Sequence, residues 1–232
     1  MCGRYVSVSS PTILAERFKA EEVRVEVHEP DYNVTPRASV PVVAESQGKR
    51  VLDIVRWGLI PSWAKDTKIG DRMINARADK IASSNAYKRA FAKRRCIIPA
   101  DGFYEWQKLE HKKQKQPWFF RRRDGEPLAF AGLWEVWHDP NDAAGDEAPR
   151  VRSCVIITTD ANDTISPIHD RMPVVLPESA WDEWLDRENN DTERLQKLLV
   201  PAPPEEFEAW RVGLLVNKPA NNGPELLERV PE

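Results

Sequence analysis

The sequence has 232 residues, is 41% apolar with nine Trp, and carries a formal charge of −3. That composition excludes a disordered chain, and its apolar runs are far too short for a membrane-spanning helix. Three cysteines (Cys2, Cys96 and Cys154), odd in number and without a CxxC pair, argue against a disulfide framework and a cysteine zinc site.

The start, Met1-Cys2-Gly3-Arg4-Tyr5, has no apolar core, so no secretory signal is expected and a reducing, cytoplasmic setting follows. Residues 4–8 alternate and predict a strand. Ser10-Pro11 supplies an N-cap and a first-turn proline, predicting a helix to about Lys19. Residues 40–44 and 51–57 are β-rich and predict neighbouring strands. Residues 58–72, with Pro61, Trp63 and Gly70, predict a structured loop, and 79–93 one or two short helices. Residues 95–99, 103–108, 118–122 and 128–134 predict consecutive strands, with 111–116 as a polar hairpin tip. The acidic segment 139–149 reads as an exposed loop, and 151–159 as a strand. A helix opens at 177–181, another near Asp191, and the proline-rich 200–205 is a turn. Strands and helices mix without a βαβ rhythm, which predicts an α+β class with a mostly antiparallel sheet.

The net charge hides an asymmetry. Residues 61–123 hold seventeen Lys and Arg against six Asp and Glu, a local net of +11 that leaves −14 on the remainder. Such a segment offers a footprint for phosphates, or simply a solvated helix face and a basic hairpin tip.

Cys2 becomes the first residue if Met1 is removed, which aminopeptidases do before a small residue. The chain then starts with a 1,2-aminothiol. Its α-amine, with a pKa of about 7.7–8.0 against about 10.4 for lysine, is roughly a tenth free base at neutral pH. It can attack an aldehyde, and the thiol of the same residue can close a five-membered thiazolidine. That closure is intramolecular, with effective molarities of about 10⁵ M or more in well-oriented cases. The alternative is an incidental small residue after the initiator.

Glu105 lies between aromatics in Tyr104-Glu105-Trp106, where partial desolvation would raise its pKa and suit it to moving protons. It is otherwise an outward residue of an alternating strand. His169, flanked by Asp170 and Arg171, is a proton carrier, a phosphate contact, or a structural histidine. Asn75 and Arg77, two apart in an extended segment, share a side. An amide there orients an amine or sugar oxygen and a guanidinium grips phosphate, unless they are a helix cap and a surface charge. Trp63 is a base-stacking platform or core. Cys96 and Cys154, in apolar strand-like runs, read as core residues.

The combination carries more than the parts. Cys2-Gly3-Arg4-Tyr5, Tyr32-Asn33-Val34-Thr35-Pro36, Arg56-Trp57-Gly58-Leu59-Ile60-Pro61, Ile74-Asn75-Ala76-Arg77, Gly102-Phe103-Tyr104-Glu105-Trp106 and Ile168-His169-Asp170-Arg171-Met172-Pro173 occur in that order. The sequence resembles the SRAP family (SOS-response-associated peptidases, also called abasic-site-processing proteins) from Cys2 to Val216-Asn217. Thr35 and Arg37 depart from commoner small residues, and the 139–149 loop looks longer than usual.

The resemblance implies a single α+β domain over residues 2–232, with a barrel-like β core flanked by helices and a positively charged channel for single-stranded DNA. It implies that Cys2 crosslinks covalently to an abasic sugar, that Asn75, Glu105 and His169 complete the catalytic site, and that Arg77 contacts phosphate. Arg4 and Trp63 are expected further DNA contacts. The expected partner is abasic single-stranded DNA and the expected state a cytoplasmic monomer, on the nucleoid when bound, without membrane, metal or organic cofactor. A β-eliminating lyase side activity is expected as well. The rival readings are an N-terminal-nucleophile cysteine peptidase, acting also on its own Met1, and a non-catalytic DNA-binding module. The crosslinking reading needs an exposed aminothiol beside Glu105 and His169.

Overall fold

The computed structural model describes residues 2–25, 27–110, 114–142 and 147–231. In chain order these form strand β1 (Tyr5–Ser7), helix α1 (Pro11–Phe18), and strands β2 (Glu22–Val23), β3 (Asp31–Val34), β4 (Ser39–Ser46), β5 (Lys49–Trp57) and β6 (Asn75–Arg77). Helix α2 (Lys88–Lys93) leads to strands β7 (Arg95–Ala100), β8 (Gly102–Gln107), β9 (Gln116–Arg122), β10 (Leu128–His138), β11 (Arg150–Asp160) and β12 (Arg171–Pro173). Helices α3 (Trp181–Leu185) and α4 (Thr192–Gln196) and strand β13 (Phe207–Arg211) follow.

The α+β class holds, and the sheet closes on itself. β11, β10, β7, β4 and β5 pair antiparallel in turn, and β5 then pairs in parallel with β11, Cys154 opposite Trp57. The result is a five-stranded mixed barrel. Period-two alternation sorts its side chains into two sets. Val42, Val55, Trp57, Cys96, Ile98, Phe130, Cys154 and Ile156 pack together in the lumen. Val43, Leu52, Ile97, Leu133 and Val155 face outward and are covered by Phe18, Phe91, Trp181 and Trp184 from the helices. Cys96 and Cys154 are thus core thiols, unpaired as expected. A second sheet, β13-β9-β8-β1-β3, carries Glu105 and the segment after Cys2.

The helices begin where the sequence places them. Ser10 Oγ accepts from Ile13 N, and Asp191 caps α4 through Arg194 N. The helix expected to open at 177–181 starts as a single 3-10 turn, Glu178–Ala180, before α3. β10 runs on past Trp134 to His138. β2, β3, β12 and β13 went unpredicted. The expected hairpin tip and acidic loop lie partly outside the described residues, at 111–113 and 143–146.

The basic stretch does not make one patch. Arg95 is 1% exposed, its guanidinium donating to the carbonyls of Phe91, Ala92 and Trp184 at helix ends. Arg94 pairs with Glu135, Arg121 with Glu208, and Arg122 with Asp124 and Glu206. Much of the local +11 is neutralised internally.

Candidate active site at one end of the barrel

Strand pairing brings the dispersed motifs together. β1 lies antiparallel to β8, Tyr5 opposite Phe103. β6 lies parallel to β11, Asn75 opposite Ile156, and β12 joins the far end of β11, with Arg171 opposite Asp160. Cys2, Asn75, Glu105 and His169 therefore meet where the second sheet covers one end of the barrel.

The contacts are direct. Asn75 Nδ2 donates to the Cys2 carbonyl at 2.8 Å. This is a strand residue, β6, not a helix cap. Asn75 Oδ1 is buried and has no hydrogen-bond partner among the described residues. Such an oxygen is an acceptor held ready for an amine or hydroxyl. His169 Nε2 lies 3.9 Å from Glu105 Oε2. The Arg171 backbone N–H donates to His169 Nδ1 at 3.0 Å, and Asp170 Oδ1 stands 2.9 Å from the same nitrogen. Nδ1 is thus engaged by its own loop, and Nε2 is the nitrogen that faces Glu105.

Alternation on β8 explains the placement of Glu105. Phe103 shares its face and belongs to the cluster that holds Cys2, whereas Tyr104 and Trp106 pack into a separate cluster on the other face. Glu105 is buried, and that burial raises its carboxyl pKa, opposed by nearby positive charge including His169. Cys2 differs from expectation. It is 0% exposed, packed in the cluster with Tyr5, Trp57 and Phe130, rather than displayed at the surface. Burial first, and the neighbouring Glu105 carboxylate second, push its thiol well above the usual range. Its S–H lies 3.8 Å from the Arg4 carbonyl.

The three DNA-contact candidates differ in exposure and engagement. Arg77 is exposed and held by Asp79, with two bonds of 2.9 Å. Trp63 is 58% exposed, which fits a stacking platform and rules out core. Arg4 is engaged internally, donating to Asn33 Oδ1 at 2.7 Å and the Val216 carbonyl at 2.8 Å.

A family model described as SOS response associated peptidase (SRAP) matches residues 1–219. The chain belongs to the SRAP family. It is 41% identical over 229 residues to the abasic site processing protein YoqW of Bacillus subtilis, covering 98% of this chain and 99% of that one. It is 32% identical to the abasic site processing protein HMCES of Xenopus tropicalis, covering 88% of this chain and 67% of the other. Its fold matches a crystal structure of a protein from Bacteroides thetaiotaomicron with a TM-score of 0.86 at 25% identity, covering 99% and 100% of the two chains.

Within this SRAP site the sequence reading missed three supporting residues. Trp57 Nε1 donates to the Ile74 carbonyl at 2.9 Å and so fixes the residue before Asn75. The Tyr5 ring packs edge-on to Trp57, with centroids 5.3 Å apart, and its hydroxyl is buried without a hydrogen-bond partner among the described residues. Gly58 adopts φ +119°, and a Cβ there would stand 2.5 Å from the Gly70 carbonyl. The chain can therefore fold back after β5 and enter β6 in register. The signal for Tyr5 was present in β1, whose neighbours Arg4 and Val6 fall on the other side of the pleat.

Proposed function

We propose that this SRAP chain processes abasic sites in DNA by forming a thiazolidine through Cys2, acting on single strands as a monomer in the cytoplasm. The observation that carries the reading is the meeting of Cys2, Asn75, Glu105 and His169 at one barrel end. All four come from a single chain.

Removal of Met1 turns the Cys2 nitrogen into an α-amine. Glu105, its pKa raised by burial, delivers a proton as the baseless sugar opens to its aldehyde. The amine attacks C1′, and the resulting carbinolamine loses one water to give an imine. Asn75 Oδ1 accepts from the amine, and His169 Nε2 takes part in the proton transfers. The Cys2 sulfur then bonds to the imine carbon while its proton passes to the imine nitrogen, by way of Glu105. The net reaction joins protein and sugar and releases one water. An imine that does not close permits β-elimination at C3′, a strand-cleaving side reaction. Binding runs mainly through phosphates, with Arg77 and Trp63 as contacts.

The peptidase reading uses the same Cys2 thiol, as a thiolate attacking an amide. Mixing the mature chain with abasic single-stranded DNA, intact DNA and a peptide separates the readings on a denaturing gel. The expected result is an adduct with abasic DNA alone. Peptide turnover without an adduct overturns the proposal. Cys2→Ser keeps the amine, so an imine trapped by borohydride persists while the adduct stable without reductant disappears.

A further inference from the structure

The other end of the barrel is open. Near the active site the lumen is filled by large side chains, Trp57 and Phe130 among them. Two residues back along β5, midway along β4, and beyond Trp134 on β10, the inward positions are short: Val55, Val42 and Val136. A closed barrel of few strands normally fills its interior with side chains. Here the filling stops halfway, leaving a cavity of about 290 Å³ at the mouth away from Cys2. Barrel mouths are common small-molecule sites, and this volume sits near the low end of the usual range of about 300–1,000 Å³.

The chemistry of the mouth is lopsided. Its walls are valines and Trp134, and its rim carries Arg24, Arg150, Arg152 and Arg187 against the carboxylates of Asp53 and Glu45. Asp53 is buried and already paired with Arg152, with Arg24 at 3.8 Å. Among the described residues neither Arg150 nor Arg187 has a carboxylate within ion-pair distance. The Trp134 indole N–H is buried and has no acceptor among the described residues. The Arg94 guanidinium stands 5.7 Å from its ring centroid, so the indole is held in place.

We infer that this mouth binds a small amphipathic organic anion, separately from the DNA site. An apolar body of one or two rings fills the space between Val42, Val55 and Val136. A carboxylate or sulfonate at its end meets the arginine rim, where guanidinium pairs bind planar anions bidentately. Arg150 and Arg187, without an ion-pair partner among the described residues, give the rim its net attraction, since Arg152 is paired with Asp53 and Arg24 with Glu22 and Asp53.

The test uses the full chain with anilinonaphthalene sulfonate as the probe and N-phenylnaphthylamine as its neutral counterpart, both followed by fluorescence. The expected result is one saturable site per chain, with the sulfonate binding about tenfold more tightly than the neutral probe, the scale of one charge-assisted contact. The double variant R150E/R187E, altered only at the rim, is expected to lose that advantage and leave the neutral probe roughly unchanged. Val136→Trp, which fills the mouth, abolishes binding of both; an unchanged melting temperature for R150E/R187E shows that the charge comparison is made on folded protein. No saturable binding, equal affinity for both probes, or sulfonate binding that survives R150E/R187E overturns the inference.

Discussion

In the proposed reaction Glu105 moves the protons, and its burial leaves a signature in stability. Its carboxyl pKa is raised above the ordinary 4.5. Above that pH the unfolded chain has released the proton while the folded chain still holds it. Folding stability therefore falls as pH rises from the ordinary carboxylate value through the raised one. Glu105→Gln removes the titrating group. Its melting temperature relative to wild type is expected to climb as pH rises from the usual carboxylate pKa and to level off once the raised one is passed. A difference that stays flat across that range contradicts the assignment. Desolvation was legible in the sequence because aromatic neighbours flank the carboxylate. The burial of Cys2 was not, because nothing in Met-Cys-Gly-Arg-Tyr reveals that Tyr5 and Trp57 close over it.

At the scale of elements, the site depends on β6 lying in register on β11. That register is set by the chain reversal at Gly58 and by the hydrogen bond from Trp57 to Ile74. A side chain at position 58 meets the Gly70 carbonyl in a backbone conformation that L residues avoid. Gly58→Ala is expected to cost about 1–3 kcal/mol of stability in denaturant titrations and to weaken DNA adduct formation with it. A loss below about 0.5 kcal/mol, the range of ordinary surface changes, shows that the reversal does not need glycine. Longer strands such as β5, β7 and β11 were readable from β-branched runs. β3 and β13 were not, since four or five residues with mixed polarity gain their strand character from their partners. Arg37 belongs with them. It takes φ +78° after Pro36, in a turn closed by Ala38 N to the Thr35 carbonyl, where a small residue is the easier fit.

Across the whole molecule, charge is arranged more locally than the sequence count suggests. Arg77 reaches solvent beside the site but is clamped by Asp79, so a phosphate must compete with that carboxylate. Asp79→Asn is expected to tighten binding of single-stranded DNA at low salt. Arg77→Ala is expected to weaken it and to reduce the slope of log K against log salt by about 0.7, the share of one phosphate contact on a single strand. Equal slopes for wild type and Arg77→Ala contradict the contact. The α+β class was legible in the mixed run of strands and helices, and the grouping of Cys2, Asn75, Glu105 and His169 was expected from the family resemblance. Barrel closure did not, because the parallel joint between β5 and β11 links strands about a hundred residues apart and leaves no local trace.

Intact mass of the mature protein, measured before and after addition of an abasic single-stranded oligonucleotide and without reductant, bears most directly on the central claim. The account predicts a species that begins at Cys2 and gains the mass of the oligonucleotide less one water, with no gain for Cys2→Ser or for intact DNA. A mature protein that gains no nucleotide mass, or one that gains it equally without the Cys2 thiol, contradicts it.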